Sequence, residues 1–97
     1  MEFNLDTMIG EDNPQASRFE ATLDGQLVAV AQYERTGNQL TFTHTIVAEV
    51  AEGHGVGGKL VKFALDQARA EALVVVPQCP FVQSYLRRHP EYQDLVR

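Results

Sequence analysis

Apolar and polar positions alternate along residues 17–23, which is the two-residue period of a strand with one buried face. Two further runs rich in Val, Ala, Thr and Ile follow at residues 26–34 and 40–47, and these residue types favour strands. The first two runs are joined by Asp24-Gly25, a dipeptide that favours the positive φ angles of a tight hairpin turn. Residues 36–38 supply a second turn. The pattern therefore predicts an antiparallel meander of three strands.

The pattern changes to a helical period after a glycine-rich stretch at residues 53–58. From there to about residue 71, apolar side chains recur at the spacing of one helix face, at Leu60, Val61, Ala64, Leu65 and Ala68. Residues 73–76 form an unbroken apolar run, typical of a strand covered on both faces. A second helix is predicted from residue 80 until a His-Pro pair ends it. The order predicts an α+β fold in which the three-stranded meander is followed by a βαβ-like unit with two helices.

Length and turn residues divide the chain into a leader and one domain. Residues 1–15 end in a cluster of turn formers and are predicted to be loosely ordered or to contain one short strand around residues 3–8. Residues 16–97 are expected to form the domain, since 97 residues leave no room for a second core. No stretch approaches the roughly 20 apolar residues of a membrane-spanning helix, and the acidic N-terminus lacks the features of a signal peptide. We therefore expect a cytoplasmic protein that does not associate with membranes.

The charge balance argues against nucleic acid as a partner. Thirteen acidic against eight basic side chains give a net charge of -5, whereas nucleic-acid-binding domains usually carry a basic patch. Six of the eight basic residues nevertheless follow residue 58. The C-terminal half is therefore expected to offer local positive charge to an anionic ligand.

The glycine-rich stretch lies between a strand and a helix, an order typical of a phosphate-binding site. The first turn of a helix has backbone N–H groups without internal partners, and glycine lets the chain fold closely around an anion. A P-loop is excluded because Gly58-Lys59 is followed by Leu60 instead of a serine or threonine. A Rossmann loop is excluded because the stretch follows antiparallel strands and no acid lies about 20 positions further on. A plain flexible connection is the alternative to a phosphate loop.

The stretch Gly53-His54-Gly55-Val56-Gly57 resembles the pyrophosphate loop of the GNAT superfamily of N-acetyltransferases, usually written Gln/Arg-x-x-Gly-x-Gly/Ala. A small single-domain GNAT subfamily is similar over residues 17–96. Besides the glycine loop, the motifs that carry this similarity are Arg18-Phe19-Glu20, Phe42-Thr43-His44-Thr45, Pro77-Gln78-Cys79-Pro80-Phe81 and Arg88-His89-Pro90-Glu91-Tyr92. One departure is Glu52, which stands at the Gln/Arg position and brings negative charge close to a polyanion. Because ligation in this loop is by the backbone, we expect binding to survive.

The resemblance implies a reduced GNAT fold that binds acetyl-coenzyme A in a cleft between the third strand and the strand at residues 73–76. The pantetheine arm would bond to the main chain of the third strand, and the pyrophosphate would lie over the glycine loop. Arg87 and Arg88 would face either the 3′-phosphate or solvent. The implied cofactor-binding residues are Ile46, Val47, His54, Gly55, Val56, Gly57, Gly58 and Lys59.

Three side chains are candidates for catalysis. Cys79 precedes Pro80 and is expected at the N-cap of the second helix, where the helix dipole favours a thiolate. It could carry the acetyl group or protonate the leaving thiolate, or be a small buried apolar residue. His44 could act as a general base, or form a hydrogen bond within the sheet. Many GNAT enzymes place a tyrosine where Tyr85 lies, as a donor to the leaving sulfur; core packing is the alternative.

No metal site is expected, since the histidines and the cysteine match no usual spacing of zinc ligands. The resemblance implies an N-acetyltransferase that transfers acetyl from acetyl-coenzyme A to an unidentified amine. The alternative is a module that binds acetyl-coenzyme A or another acyl-coenzyme A without turning it over. The exposed edge of the first strand also leaves a homodimer open.

Overall fold

The computed structural model describes residues 4–97, which form one mixed sheet with two helices. The strands are β1 (Ile9–Asn13), β2 (Arg18–Leu23), β3 (Gln26–Thr36), β4 (Gln39–Val47) and β5 (Val74–Pro77). The helices are α1 (Val56–Ala70) and α2 (Pro80–Arg88), and short 3-10 turns lie at Leu5–Thr7, Glu49–Ala51 and Pro90–Leu95. The sheet order is β1-β2-β3-β4-β5, antiparallel throughout except for the parallel pair β4–β5. The predicted α+β fold is confirmed.

The structure adds a fourth antiparallel strand to the predicted meander. The strand expected around residues 3–8 lies later, at Ile9–Asn13, and Leu5–Thr7 forms a 3-10 turn instead; residue 3 lies outside the described part of the chain. Gly10 explains the position of β1, because a Cβ atom there would stand 2.7 Å from Cγ of Phe63 on α1. The missing side chain lets β1 run directly over the aromatic ring.

The β2–β3 hairpin forms as the sequence predicts. Asp24 and Gly25 both have positive φ angles, 51° and 79°, and thus the backbone conformation of a tight two-residue turn. In α1, the predicted apolar stripe from Leu60 to Ala68 is fully buried against one face of the sheet. No helix within residues 4–97 is long and apolar enough to cross a membrane.

A buried tyrosine ties the edge strand to the centre of the sheet. The hydroxyl of Tyr33 on β3 donates a hydrogen bond of 2.6 Å to the Asp12 carboxylate on β1, and its ring packs against Phe19. Burial raises the pKa of Tyr33 well above its ordinary range, and the hydrogen bond to Asp12 adds to this effect. The folded state therefore holds a proton on Tyr33 that the unfolded chain releases near pH 10.

We expect this proton to make the fold sensitive to alkali. The contribution of Tyr33 to the free energy of unfolding is complete below about pH 10. Above that pH it decreases by up to about 1.4 kcal/mol per pH unit. The Tyr33→Phe variant should lose stability at pH 7 but show a shallower decline between about pH 10 and 11. Urea unfolding of both proteins across this range measures the difference. Parallel pH profiles would contradict the prediction, because the other tyrosines are common to both proteins.

Candidate functional site

A gap opens in the sheet where β4 and β5 separate. Their pairing covers only Gln39 to Phe42 of β4, whereas β4 itself continues to Val47. Beyond this point the chain leaves β5, and the N–H groups of Gln78 and Cys79 both donate to the Phe42 carbonyl at 3.0 Å. Among residues 4–97, no strand therefore pairs with this edge of the second half of β4.

The hydrogen-bond pattern shows which backbone groups this edge presents. Ala48 donates its N–H to the carbonyl of Val28 on β3 at 2.8 Å. Backbone groups of alternate residues point to opposite sides of a strand, so those of Ile46 point to β3 as well. The N–H and C=O groups of Thr45 and Val47 consequently point into the gap.

A cleft of about 640 Å³ lies beside this edge, between the start of α1 and the face of α2. One wall is the free edge of β4, the floor is the glycine-rich loop with the first turn of α1, and the far wall is α2. The lining residues are Thr45, Val47, Ala51, Glu52, Gly53, Gly55, Val56, Gly57, Gly58, Phe81, Tyr85, Arg88 and His89.

The floor presents unpaired backbone donors. The helix was expected to begin after Gly58, but α1 begins at Val56 and includes Gly57 and Gly58 in its first turn. Gly55 is the N-cap, with a left-handed φ of 79° and no side chain to accept a hydrogen bond. The first helical bond runs from Lys59 N–H to the Gly55 carbonyl. The N–H groups of the three preceding residues thus have no helical acceptor and, with the helix dipole, favour an anion.

Gly57 lies where α1 approaches both walls most closely. A Cβ atom at this position would stand 2.8 Å from Cζ of Phe81 and 3.1 Å from Cγ2 of Val47. At Gly58 the nearest atom would be Cε2 of Tyr85, at 3.9 Å. An added methyl group would therefore clash at Gly57 but not at Gly58.

Cys79 stands immediately behind the β4 wall of the cleft. It is the N-cap of α2, with Pro80 as the first helical residue, and only 3% of its surface is exposed. Its Sγ lies 3.4 Å from Oγ1 of Thr45, which does line the cleft. The sulfur thus lies one side chain away from the cleft.

Tyr85 and two basic residues form the α2 wall. Burial raises the pKa of Tyr85, so its hydroxyl is protonated and able to donate at neutral pH. Its ring stacks on His89, with centroids 3.9 Å apart. Arg88 also lines the cleft, whereas Arg87 does not. Positive charge is therefore available at the end of the cleft farthest from Cys79.

Several residues predicted from the sequence lie elsewhere. His44 and Ile46 are exposed and line hollows on the opposite face of the sheet. The Lys59 ammonium bonds to the Leu5 carbonyl and borders a separate hollow. His54 lies in the loop before α1 and is not among the described lining residues. The structure brings Tyr85, Val47 and the glycines together, with Cys79 directly behind them.

Sequence reasoning missed Thr45, Phe81 and His89 as neighbours of the cleft. The strand period held a signal for Thr45, because it shares its direction with Val47 two positions later. The positions of Phe81 and His89 follow from how α2 docks, which no local pattern reveals. Within residues 4–97, no three His, Cys, Asp or Glu side chains are placed to hold a metal ion.

Comparisons with known proteins agree with this geometry. The sequence model of a family described as GCN5-related N-acetyl-transferase matches residues 18–95. Protein NATD1 of Mus musculus is 33% identical over 89 residues, which cover 90% of this chain and 81% of the mouse protein. The solution structure of a GCN5-like protein from Staphylococcus aureus, described as a candidate N-acetyltransferase, superimposes with a TM-score of 0.71 at 25% identity. That match covers 94% of this chain and 89% of the other.

A more distant structure shares the fold alone. An IAA acetyltransferase from Bacillus cereus superimposes with a TM-score of 0.51 at 23% identity, over 60% of this chain and 40% of its own. The shared region is thus a part of that longer chain.

Proposed function

Since the chain belongs to the GCN5-related N-acetyltransferase family, we propose that it transfers an acetyl group from acetyl-coenzyme A to a primary amine. One observation carries the proposal. The free edge of β4 and the unpaired first turn of α1 line one cleft, and the sulfur of Cys79 lies 3.4 Å from Thr45, which lines the same cleft. The strand edge, the helix turn and the sulfur each suit a different segment of acetyl-coenzyme A.

The pantetheine arm would lie along the free edge of β4. Its amide groups would bond to the backbone of Thr45 and Val47, in the manner of a short extra strand. Ile46 would take no part through its backbone, because its groups face β3. The arm would thereby point the thioester toward Thr45 and Cys79.

The pyrophosphate would lie on the first turn of α1. The start of α1 can accommodate a pyrophosphate, because Gly55 caps the helix without a side chain and the first turn contains no acidic residue. Glu52 lines the same cleft and opposes the anion, so the three N–H groups must outweigh its charge. The adenosine end would then reach the far part of the cleft, where Arg88 and His89 lie.

Cys79 would accept the acetyl group. Its Sγ forms a bond to the carbonyl carbon as the bond from that carbon to the sulfur of coenzyme A breaks. A proton passes to the departing sulfur, and the proton that the Cys79 thiol releases passes through solvent to the group that donated it. Tyr85, whose hydroxyl is protonated, is the cleft's candidate donor for that proton. The amine nitrogen then attacks the acetyl carbonyl on Cys79, and a proton returns to Sγ.

Calorimetric titration with acetyl-coenzyme A and with its analogue lacking the 3′-phosphate tests the donor site. We expect a dissociation constant on the order of micromolar for acetyl-coenzyme A. Loss of the 3′-phosphate should weaken binding about tenfold, since a charge-assisted hydrogen bond contributes roughly 1.5–3 kcal/mol. The Arg88→Gln variant should show little further loss with the dephospho compound.

Arg87→Gln is the matched control, because Arg87 neighbours Arg88 in sequence but does not line the cleft. It should retain the full preference for the 3′-phosphate. The donor placement is wrong if both variants behave alike, and the proposed function fails if acetyl-coenzyme A does not bind at all.

A further inference from the structure

The face of the sheet opposite α1 carries two adjoining hollows that the cleft does not use. Side chains alternate across a strand, so His44 and Ile46 of β4 point to this outer face, whereas Thr45 points to the cleft. A hollow of about 340 Å³ is bordered by polar side chains, among them Gln32, Glu34 and His44. Its walls therefore include an acid and a base.

The second hollow is apolar. It holds about 300 Å³ and is bordered by Leu27, Val30 and Ile46. Leu27 and Ile46 are 43% and 54% exposed, large values for such side chains. Gln32 borders both hollows, so they adjoin, and we call the two together the trough.

The register of the sheet fixes the distance between the polar and apolar parts of the trough. Gln32 on β3 pairs with His44 on β4, and Val30 pairs with Ile46. These two rows are two residues apart along each strand, which corresponds to about 7 Å. Glu34 lies two residues beyond Gln32 on β3, about 13 Å from Val30 along the strand. A ligand therefore needs a chain of about six carbons to contact both the Glu34 side chain and the apolar part.

The charged side chains of the trough favour a cation in its polar hollow, which Glu34 and His44 border. Within residues 4–97, the side chains of Glu34 and His44 form no hydrogen bond or ion pair. Arg18, which borders the apolar hollow, is neutralised by Glu20 at 2.7 Å. The net charge of -5 also attracts cations to the surface. An ammonium group is thus favoured beside Glu34.

The trough also lies next to the reacting part of the proposed cleft. His44 and Thr45 are consecutive on β4, and their side chains lie on opposite faces of it. Within residues 4–97, no strand pairs with the edge of β4 beyond Phe42, so only the thickness of one strand separates the two faces at this edge. A group bound beside His44 has a short path to an acetyl group beside Thr45.

Building on the proposed acetyl transfer, we propose that the acceptor is a small primary amine with an apolar tail, bound in this trough. Its ammonium group pairs with Glu34 and its tail covers Val30 and Ile46. His44 accepts one proton from the ammonium, which leaves a neutral nitrogen with a free electron pair for attack on the acetyl carbonyl. His44 then passes this proton to solvent.

Amide chemical shifts of the protein saturated with coenzyme A test the proposal without relying on turnover. Hexylamine should shift the amides around Gln32 and Ile46 and bind at least about tenfold more tightly than ethylamine, because four more methylene groups are buried. Hexane-1,6-diamine should bind only slightly more tightly than ethylamine, since its second charge would lie in the apolar hollow.

Two pairs of variants locate the binding. Ile46→Asn should reduce the preference for hexylamine over ethylamine about threefold or more, whereas Val50→Asn, at a similarly exposed apolar position outside the trough, should not. Glu34→Gln should weaken both monoamines about fivefold, whereas Glu49→Gln should not.

Equal affinity for the three amines, or shifts confined to the other face of the sheet, would overturn the proposal. So would stronger binding of a lysine-containing peptide than of hexylamine, because the acceptor would then be a protein side chain. Failure of the donor site is distinguishable, since it would appear as loss of coenzyme A binding while amine binding persists.

Discussion

Replacing Cys79 by alanine is expected to reduce acetyl transfer by about 100-fold or more, while the affinity for acetyl-coenzyme A changes less than about threefold. The sulfur lies behind the β4 wall, 3.4 Å from Thr45, and does not border the cleft itself. Its loss should therefore remove the group that receives acetyl and leave the donor's binding surface in place. Initial rates with a primary amine and a titration with acetyl-coenzyme A measure the two quantities.

Intact-mass spectrometry makes this test more specific. Wild-type protein incubated with acetyl-coenzyme A alone should gain the mass of one acetyl group, and the Cys79→Ala variant should not. Cys79 is buried, so the variant should lose only about 1 kcal/mol of stability from the small cavity, which thermal unfolding will show. A variant that is folded and retains full turnover would rule out the covalent route and leave direct transfer.

Replacing Gly57 by alanine is expected to weaken acetyl-coenzyme A binding about tenfold or more, or about 1.4 kcal/mol. The added methyl group would stand 2.8 Å from Phe81 and 3.1 Å from Val47, so one of these must move. Val47 supplies the free strand edge and Phe81 belongs to the opposite wall. Either movement changes the width of the cleft where the arm and the pyrophosphate meet.

Gly58→Ala is the matched control for Gly57→Ala. Both variants keep the backbone N–H group, and both replace glycine in the first turn of α1. The methyl group at position 58 would meet only an ordinary contact at 3.9 Å, so binding should change less than about threefold. The spatial argument is refuted if calorimetry gives equal losses for the two variants.

The fold could be predicted largely because its signals are local. The Asp24-Gly25 turn, the apolar stripe of α1 and the Pro80 start of α2 each depend on residues near in sequence, and the structure contains all three. The sequence pattern predicts the first strand earlier than β1 lies, because the position of β1 involves the close approach of Gly10 to Phe63. No local pattern reports a contact between residues so far apart.

The site could be predicted only in part, for a related reason. The glycine loop is visible in the sequence, but the direction of each β4 residue depends on a register irregularity opposite Gln32 and Tyr33. This irregularity determines that Thr45 and not Ile46 presents its backbone to the gap. The position of Lys59 likewise depends on the chain segment at Leu5. Alternation groups Thr45 with Val47, but it does not show which direction along β4 faces the gap, nor where Lys59 lies.

The parallel pairing of β5 with β4 has a consequence for the order of assembly. The antiparallel strands are joined by short turns and close small loops, whereas β5 can meet β4 only after the whole of α1 has been placed. Contacts that form across long sequence separations are expected to form late. The cleft, which exists only when β5 and α2 are docked, is thus also the region most easily lost by partial opening. A bound donor would hold the C-terminal third of the chain closed, so ligand binding and the completion of folding would be two aspects of one equilibrium.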